Sequence, residues 1–231
     1  NLELALSGVS ITGGSPYNDW VTAGVYDPSG RLIANFGSNA GNNAHLWGLA
    51  GGTYRIVITP GGGSNGLLQI QNATVTLTRD VTGQLSYGTA ATVNLPRPGQ
   101  AARLTFTANA GDNVALAASA VTTTPANNSV NFVVYRPDGA QLTFVDTASS
   151  NTWNLQNLPQ SGTYTVVTWG SWGLPSTAQL TLLSGVVDTL AVDGPSKSYA
   201  TGAIGQNIYL TFNANAGDNL ELALTGVSVS G

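Results

Sequence analysis

The sequence predicts an all-β chain of antiparallel β-sandwich units arranged in tandem. Three observations predict it. Apolar and polar residues alternate with a period of two at several places, which puts one side of an extended strand into a core. Turn-forming Pro, Gly, Asp and Asn return about every 8–12 residues, the spacing of short strands in a sandwich. A set of landmarks recurs in one order after about 110 residues, a usual domain size.

Taken along the chain, Leu2, Leu4 and Leu6 alternate with Glu3, Ala5 and Ser7, so the leucines should share a buried face. Asp27-Pro-Ser-Gly30 has the composition of a tight turn. Tyr54–Ile58 and Leu68–Thr78 are β-branched and aromatic, as strands prefer. Gly111-Asp112 marks a hairpin, and Arg136-Pro-Asp-Gly139 a second tight turn. Tyr164–Thr168 and Thr177–Leu183 read as strands. Leu220, Leu222 and Leu224 alternate as Leu2, Leu4 and Leu6 do. Helical periodicity free of Gly and Pro is absent throughout.

The repeated landmarks fix the organisation. Asn1-Leu-Glu-Leu-Ala-Leu-Ser-Gly-Val9 returns as Asn219-Leu-Glu-Leu-Ala-Leu-Thr-Gly-Val227, with a looser copy at Asn113–Val121. Val25-Tyr-Asp-Pro-Ser-Gly30 matches Val134-Tyr-Arg-Pro-Asp-Gly139, and Gly52-Thr-Tyr54 matches Gly162-Thr-Tyr164. Asn109-Ala-Gly-Asp-Asn113 is repeated unchanged at Asn215–Asn219. The implied unit is 105–112 residues, with a double period of 218. Residues 80–185 then form one complete unit, 1–79 the later part of a unit, and 186–231 the early part of the next.

Composition excludes several classes. The 231 residues contain no Cys, which removes disulfides, thiol nucleophiles and cysteine zinc sites. A single histidine, His45, leaves no His-pair metal site and argues against a hydrolase triad. A net charge of −4 with 8% charged residues excludes the basic face of a nucleic-acid binder. No apolar run of about 18 residues spans a membrane as a helix. The lack of Met implies a removed initiator or a piece of something longer. One lysine, abundant Thr, Asn, Gly and Ser, and a low pI suit an exported bacterial protein, extracellular or on the cell surface.

The order Phe-x-Ala-x-Ala-Gly-Asp-Asn, Val-Tyr-x-Pro-x-Gly, then Gly-Thr-Tyr before a closing strand resembles the bacterial pre-peptidase C-terminal domain. The likeness covers the middle unit and both partial ones, and its motifs are turns and core strands. It implies a jelly-roll-like sandwich, an extracellular location and accessory roles in spacing, adhesion or substrate attachment. The expected fold class is therefore all-β, as tandem antiparallel jelly-roll/Ig-like β-sandwich repeats. Some relatives bind calcium through clustered acids; no such cluster stands here.

Candidate chemistry is sparse. Asp112 and Asp218 sit in identical turns; each reads as a turn residue bonding its own backbone, with calcium the alternative, since that ion needs six to eight oxygens. Glu3, Asp19 and Asp27 lack the pairing of a glycosidase and read as solvated surface. Asp188 and Asp193 read as linker residues, and His45 as a surface or hydrogen-bonded histidine. Trp20, Trp47, Trp153, Trp169 and Trp172 read first as packing, then as interface anchors, then as glycan-stacking surfaces. No cofactor, catalytic residue or enzyme activity is expected.

A half-sandwich exposes an apolar face and an open strand edge. Residues 1–79 and 186–231 each pose that problem. The expected solution is that either the tail of one chain completes the head of the next, or the residues belong to one continuous chain of many units; both describe a fibre built head-to-tail, with Leu2, Leu4, Leu6 and Leu220, Leu222, Leu224 as assembly strands. The expected function is a structural repeat of an extracellular bacterial filament, sheath or giant adhesin. The alternative is a carbohydrate- or matrix-binding module of a secreted enzyme, with surface polysaccharide as partner. Packing of 186–231 on 1–79 of the same molecule would remove the main support for a fibre.

Overall fold

The computed structural model describes residues 1–12, 19–39, 41–62 and 68–229, with Asp19 and Gly62 described by their backbone alone. Extended structure dominates because β-branched and alternating segments are cut short by turns that helices cannot cross. The first six strands are β1 (Leu2–Thr12), β2 (Asp19–Tyr26), β3 (Leu32–Ser38), β4 (Asn42–Leu46), β5 (Arg55–Gly62) and β6 (Gln69–Arg79). They form two antiparallel sheets, ordered β4-β1-β6 and β3-β2-β5. Between them lies a small core of Leu4, Leu6, Val21, Ala23, Val25 and Leu46.

Nine strands follow: β7 (Val81–Gln84), β8 (Ala90–Leu95), β9 (Ala101–Ala108), β10 (Val114–Thr123), β11 (Val130–Tyr135), β12 (Gln141–Thr147), β13 (Asn151–Leu155), β14 (Gly162–Gly170) and β15 (Ser176–Ser184). One sheet runs β13-β10-β15-β8, the other β12-β11-β14-β9-β7, with only β7 and β9 parallel. Their inner faces meet in the main core. Leu95, Leu116, Leu180 and Leu182 come from the first sheet, and Phe132, Val134, Tyr164 and Val166 from the second. Phe106 stacks on Tyr164 at 5.3 Å. The Tyr164 hydroxyl donates to the Gln160 carbonyl at 2.7 Å, so a fully buried ring keeps its polar end satisfied. Each such buried side chain stabilises the fold by about 1.5–3 kcal/mol.

The last strands, β16 (Val186–Leu190) and β17 (Ile208–Phe212), form a separate parallel ribbon.

The sheets share registers. Leu4 faces Ala44 and Leu77; Leu116, 112 residues later, faces Trp153 and Leu182. Val25 faces Ala34 and Ile56; Val134 faces Thr143 and Val166. The parallel pair Val81↔Ala102 corresponds to Val186↔Ile208. Even the irregularities match. β1 slips register around Gly8 (φ 55°), and β10 around Ala120 (φ 49°). A left-handed residue builds the bulge in both.

Two edges differ. β14 lies between β11 and β9, and β15 between β10 and β8. Their counterparts β5 and β6 have a partner on one side only. Ile56, Val57, Val75 and Leu77 are left exposed there.

Three expectations change. Leu220, Leu222 and Leu224 are not in a paired strand: residues 213–229 carry no strand, and Leu222 and Leu224 are 82% and 83% exposed. The reason is the lack of partners: β10 is held by β13 and β15, whereas among the described residues no strand lies beside 220–224. Leu2, Leu4 and Leu6 do lie in a strand, with Leu4 and Leu6 buried and Leu2 half-buried, but Glu3 and Ala5 on the other face are buried too. Asp188 is no linker residue; it lies in β16, where Lys197 above all, then Tyr199, holds its carboxyl down at about 2.

Candidate interface at the junctions between sheet pairs

Glu3 is buried because the β4-β1-β6 sheet turns its outer face to the β7–β15 sandwich. Cross-strand register puts His45, Glu3 and Thr78 in one row on that face. The sandwich answers with Arg103 on β9, Trp169 on β14 and Tyr135 on β11. Solvated surface was the expectation for Glu3. Alternation alone points its side chain away from the leucine core, and only the second sandwich covers it.

The charges form a chain. His45 Nδ1 bonds Glu3 Oε2. Arg103 Nε donates to Asp80 Oδ2 at 2.6 Å, with both side chains largely buried. Arg103 also lies over the Trp47 ring, 4.0 Å from its centre, a cation–π contact. Burial most of all pushes the Glu3 carboxyl up to about 7; the bond and charge of His45 pull it down, and nearby Asp80 raises it again. Glu3 Oε1 and Asp80 Oδ1 are both buried without a donor. A proton on Glu3 Oε1 supplies one, because a neutral carboxyl donates where a carboxylate only accepts.

Aromatic rings close the cluster. His45 stacks on Trp47 at 5.4 Å and meets the edge of Trp169 at 4.6 Å. Trp47 stands edge-on to Tyr135 at 5.8 Å. Trp47 and Trp169 are thus contacts between sheet pairs. Trp153 packs on Phe132 at 4.9 Å within the central core. Trp20 is half-exposed on β2. Trp172 is 70% exposed in the 3₁₀ turn Ser171–Gly173, at φ 60°.

A backbone turn joins the pairs. The Gln100 amide donates to the Arg97 carbonyl at 3.1 Å and its side chain to the Arg79 carbonyl at 3.4 Å. Gly99 (φ 72°) presses so closely on Ala5 that no side chain fits. A second junction, between the central sandwich and β16–β17, repeats the device. The Gln206 amide donates to the Ala203 carbonyl at 3.2 Å and its side chain to the Ser184 carbonyl at 2.8 Å. Gly205 (φ 80°) sits on Thr152. There the polar contacts are neutral: Thr152 Oγ1 donates to the Ile204 carbonyl at 2.6 Å, Asn154 Nδ2 to the Gly205 carbonyl at 2.8 Å, and Asn207 N to Asn154 Oδ1 at 2.9 Å. Asn154 stands where the first junction has His45, and Ala115 where it has Glu3.

Asp80 and Arg103 carried no sequence signal of their own. The paired departure of Glu3 and His45 from Ala115 and Asn154 was the legible clue. Asp112 Oδ2 accepts from Asn109 N, and Asp218 Oδ2 from Asn215 N, each at 2.7 Å, so both carboxylates are engaged in their turns. Asp27 does the same, its carboxyl held at about 2 chiefly by the Ser29 hydroxyl and further by Arg31. Among the described residues no group of three His, Cys, Asp or Glu is placed to hold a metal, and no helix is long and apolar enough to cross a membrane.

The chain is an all-β protein of packed, mainly antiparallel sheets. No family model matches it, and no curated protein does. Similar solved structures include the periplasmic g-type lysozyme inhibitor PliG of Aeromonas hydrophila, 18% identical over 45% of this chain and 97% of that one, with a TM-score of 0.32. The pre-peptidase C-terminal domain of a Bacillus anthracis collagenase is 11% identical over 45% and 96%, at 0.35. The infectious bursal disease virus Gt strain structure is 10% identical over 80% and 56%, at 0.21. At these scores none bears on function.

Proposed function

We propose that the chain is a structural repeat unit of an extracellular bacterial filament, sheath or giant adhesin, assembling head-to-tail by completion of split β-sandwich units. One observation carries this reading: the same glycine–glutamine junction is built twice, at Gly99-Gln100 and Gly205-Gln206, in one direction along the chain. A contact that joins successive units in one direction is heterologous, and between copies such contacts give filaments where the rotation does not close a ring. The turn 204–206, just before β17, bonds to Thr152, Asn154 and Ser184, and no described strand of 186–229 pairs with residues 1–79. The tail therefore continues the row of sheet pairs. Glu3 of the next copy restores the glutamate that Ala115 lacks, so charged and neutral junctions alternate along the array.

Electron microscopy and light scattering of the purified chain over a concentration series test the reading. Rods that lengthen with concentration are expected. A single 23.6 kDa species at every concentration overturns it.

A second reading, polysaccharide binding by an accessory module, draws on an open cleft of about 580 Å³ lined by Trp47, Tyr54, Arg31 and Asp27. Polysaccharide pull-down that Tyr54→Ala abolishes would favour it.

A further inference from the structure

We infer that β17 of one copy docks on the open edge of β5 in the next, in the register that β9 holds on β14. This deepens the head-to-tail reading and rests on it. In the central sandwich β9 runs antiparallel to β14, with Tyr164↔Phe106, Val166↔Leu104 and Thr168↔Ala102. Carried over by the offsets that relate β14 to β5 and β9 to β17, these become Tyr54↔Phe212, Ile56↔Leu210 and Ile58↔Ile208. Both edges are open. Among the described residues β5 bonds only to β2, and β17 only to β16. Both are unfinished: Ile56 is 37% exposed, Leu210 39% and Phe212 58%, whereas their central counterparts Val166, Leu104 and Phe106 are buried.

The pairing gives each side what it lacks. The missing ladder hydrogen bonds of β5 are met by those of β17, as in strand addition to a sheet edge. Phe212 reaches Tyr54 as Phe106 reaches Tyr164. Residues 196–201, which correspond to β8, follow the same offset to the open edge of β6, where Val75 and Leu77 are exposed. The occupant is a second copy of this chain, because its segment 186–212 supplies counterparts of β7 and β9, which no described strand supplies to the first sheet pair. Asn219–Val227 is left over, since β1 of the receiving copy already fills the place that motif matches.

The absence of cysteine makes the register testable by unique thiols. Arg55 and Thr211 correspond to the outward-facing pair Thr165↔Thr105. Arg55→Cys is mixed with Thr211→Cys, and separately with Tyr209→Cys, which lies two residues out of register on the same face. Disulfides are read by mass spectrometry after mild oxidation, with scattering confirming that each variant assembles like the parent. The 55–211 link is expected at least about tenfold over 55–209, because disulfides demand Cα atoms within about 7 Å and docking raises local concentration. Equal yields, or a dominant 55–209 link, overturn the register. Fibres without a 55–211 link overturn the docking inference and leave the array reading standing. A parent chain that never assembles overturns both.

Discussion

The two junctions share a backbone device and differ in every charged group. At both, a left-handed glycine packs against the preceding sheet pair, and the next glutamine caps a carbonyl at the end of its last strand. The first junction then buries Glu3, Asp80 and Arg103 beside His45. The second uses Thr152, Asn154 and Asn207. The comparison separates geometry from chemistry. Glycine and glutamine set how one sheet pair sits on the next, and the charges make only one of the joints sensitive to pH.

Removing a charge should break this contrast most strongly. Arg103→Ala leaves Asp80 buried without its cation, and loss of one partner of a buried ion pair costs about 3–5 kcal/mol. Calorimetry should show the β1–β6 sheets melting earlier and separately from the sandwich. Tyr209, at the corresponding position of the second junction, should tolerate Ala with a far smaller loss.

The pH response comes next. Glu3 rises from an ordinary value of 4.5 to about 7 in the folded protein. A carboxyl raised by folding favours the folded state where it is protonated. Its contribution is therefore complete below about 4.5 and is lost as pH climbs through 7. The ceiling on this loss is about 3 kcal/mol. Urea unfolding at pH 5 and pH 8 should show the first junction weaker at pH 8, and Glu3→Gln should flatten the difference.

Smaller effects sharpen the geometric half. Gly99→Ala meets both Ala5 and a φ of 72°, and should cost about 2 kcal/mol or more. Gly205→Ala has Thr152 at an easier 3.4 Å and should cost only the backbone strain, about 1 kcal/mol. Equal losses in thermal unfolding would mean that the two turns are packed alike, against the closer approach at Gly99. Smallest is Ala120→Gly, which gives the β10 bulge the residue that β1 has at Gly8; a gain of about 0.5–1 kcal/mol in melting experiments is expected.

The strands were legible because their code is local. Leu4, Leu6, Tyr164 and the Pro-Gly turns announce themselves within a few residues, and they fold as read. The candidate interface was not legible in that way. Alternation says only that Glu3 faces away from Leu4; it cannot say that a second sandwich covers that side. Asp80 and Arg103 lie 23 residues apart, in a strand-end and a strand with no shared motif. Trp47 and Trp169 read from the sequence as packing, interface or glycan-stacking rings, since a ring's composition is the same in each setting. The failed strand at Leu220, Leu222 and Leu224 has the converse cause: the local pattern is right, but a strand also needs neighbours.

By itself, the sequence determined the all-β class, the turn positions, the core leucines and the recurrence of landmarks, because each rests on spacing along the chain. The tertiary structure decided which polar residues are buried, which strand edges stay open and how successive sheet pairs meet. Those depend on surfaces brought together from distant segments, and burial, which shifts the Glu3 carboxyl and leaves Ile56 and Leu210 unfinished, belongs to the assembled surface rather than to any residue's neighbours in sequence.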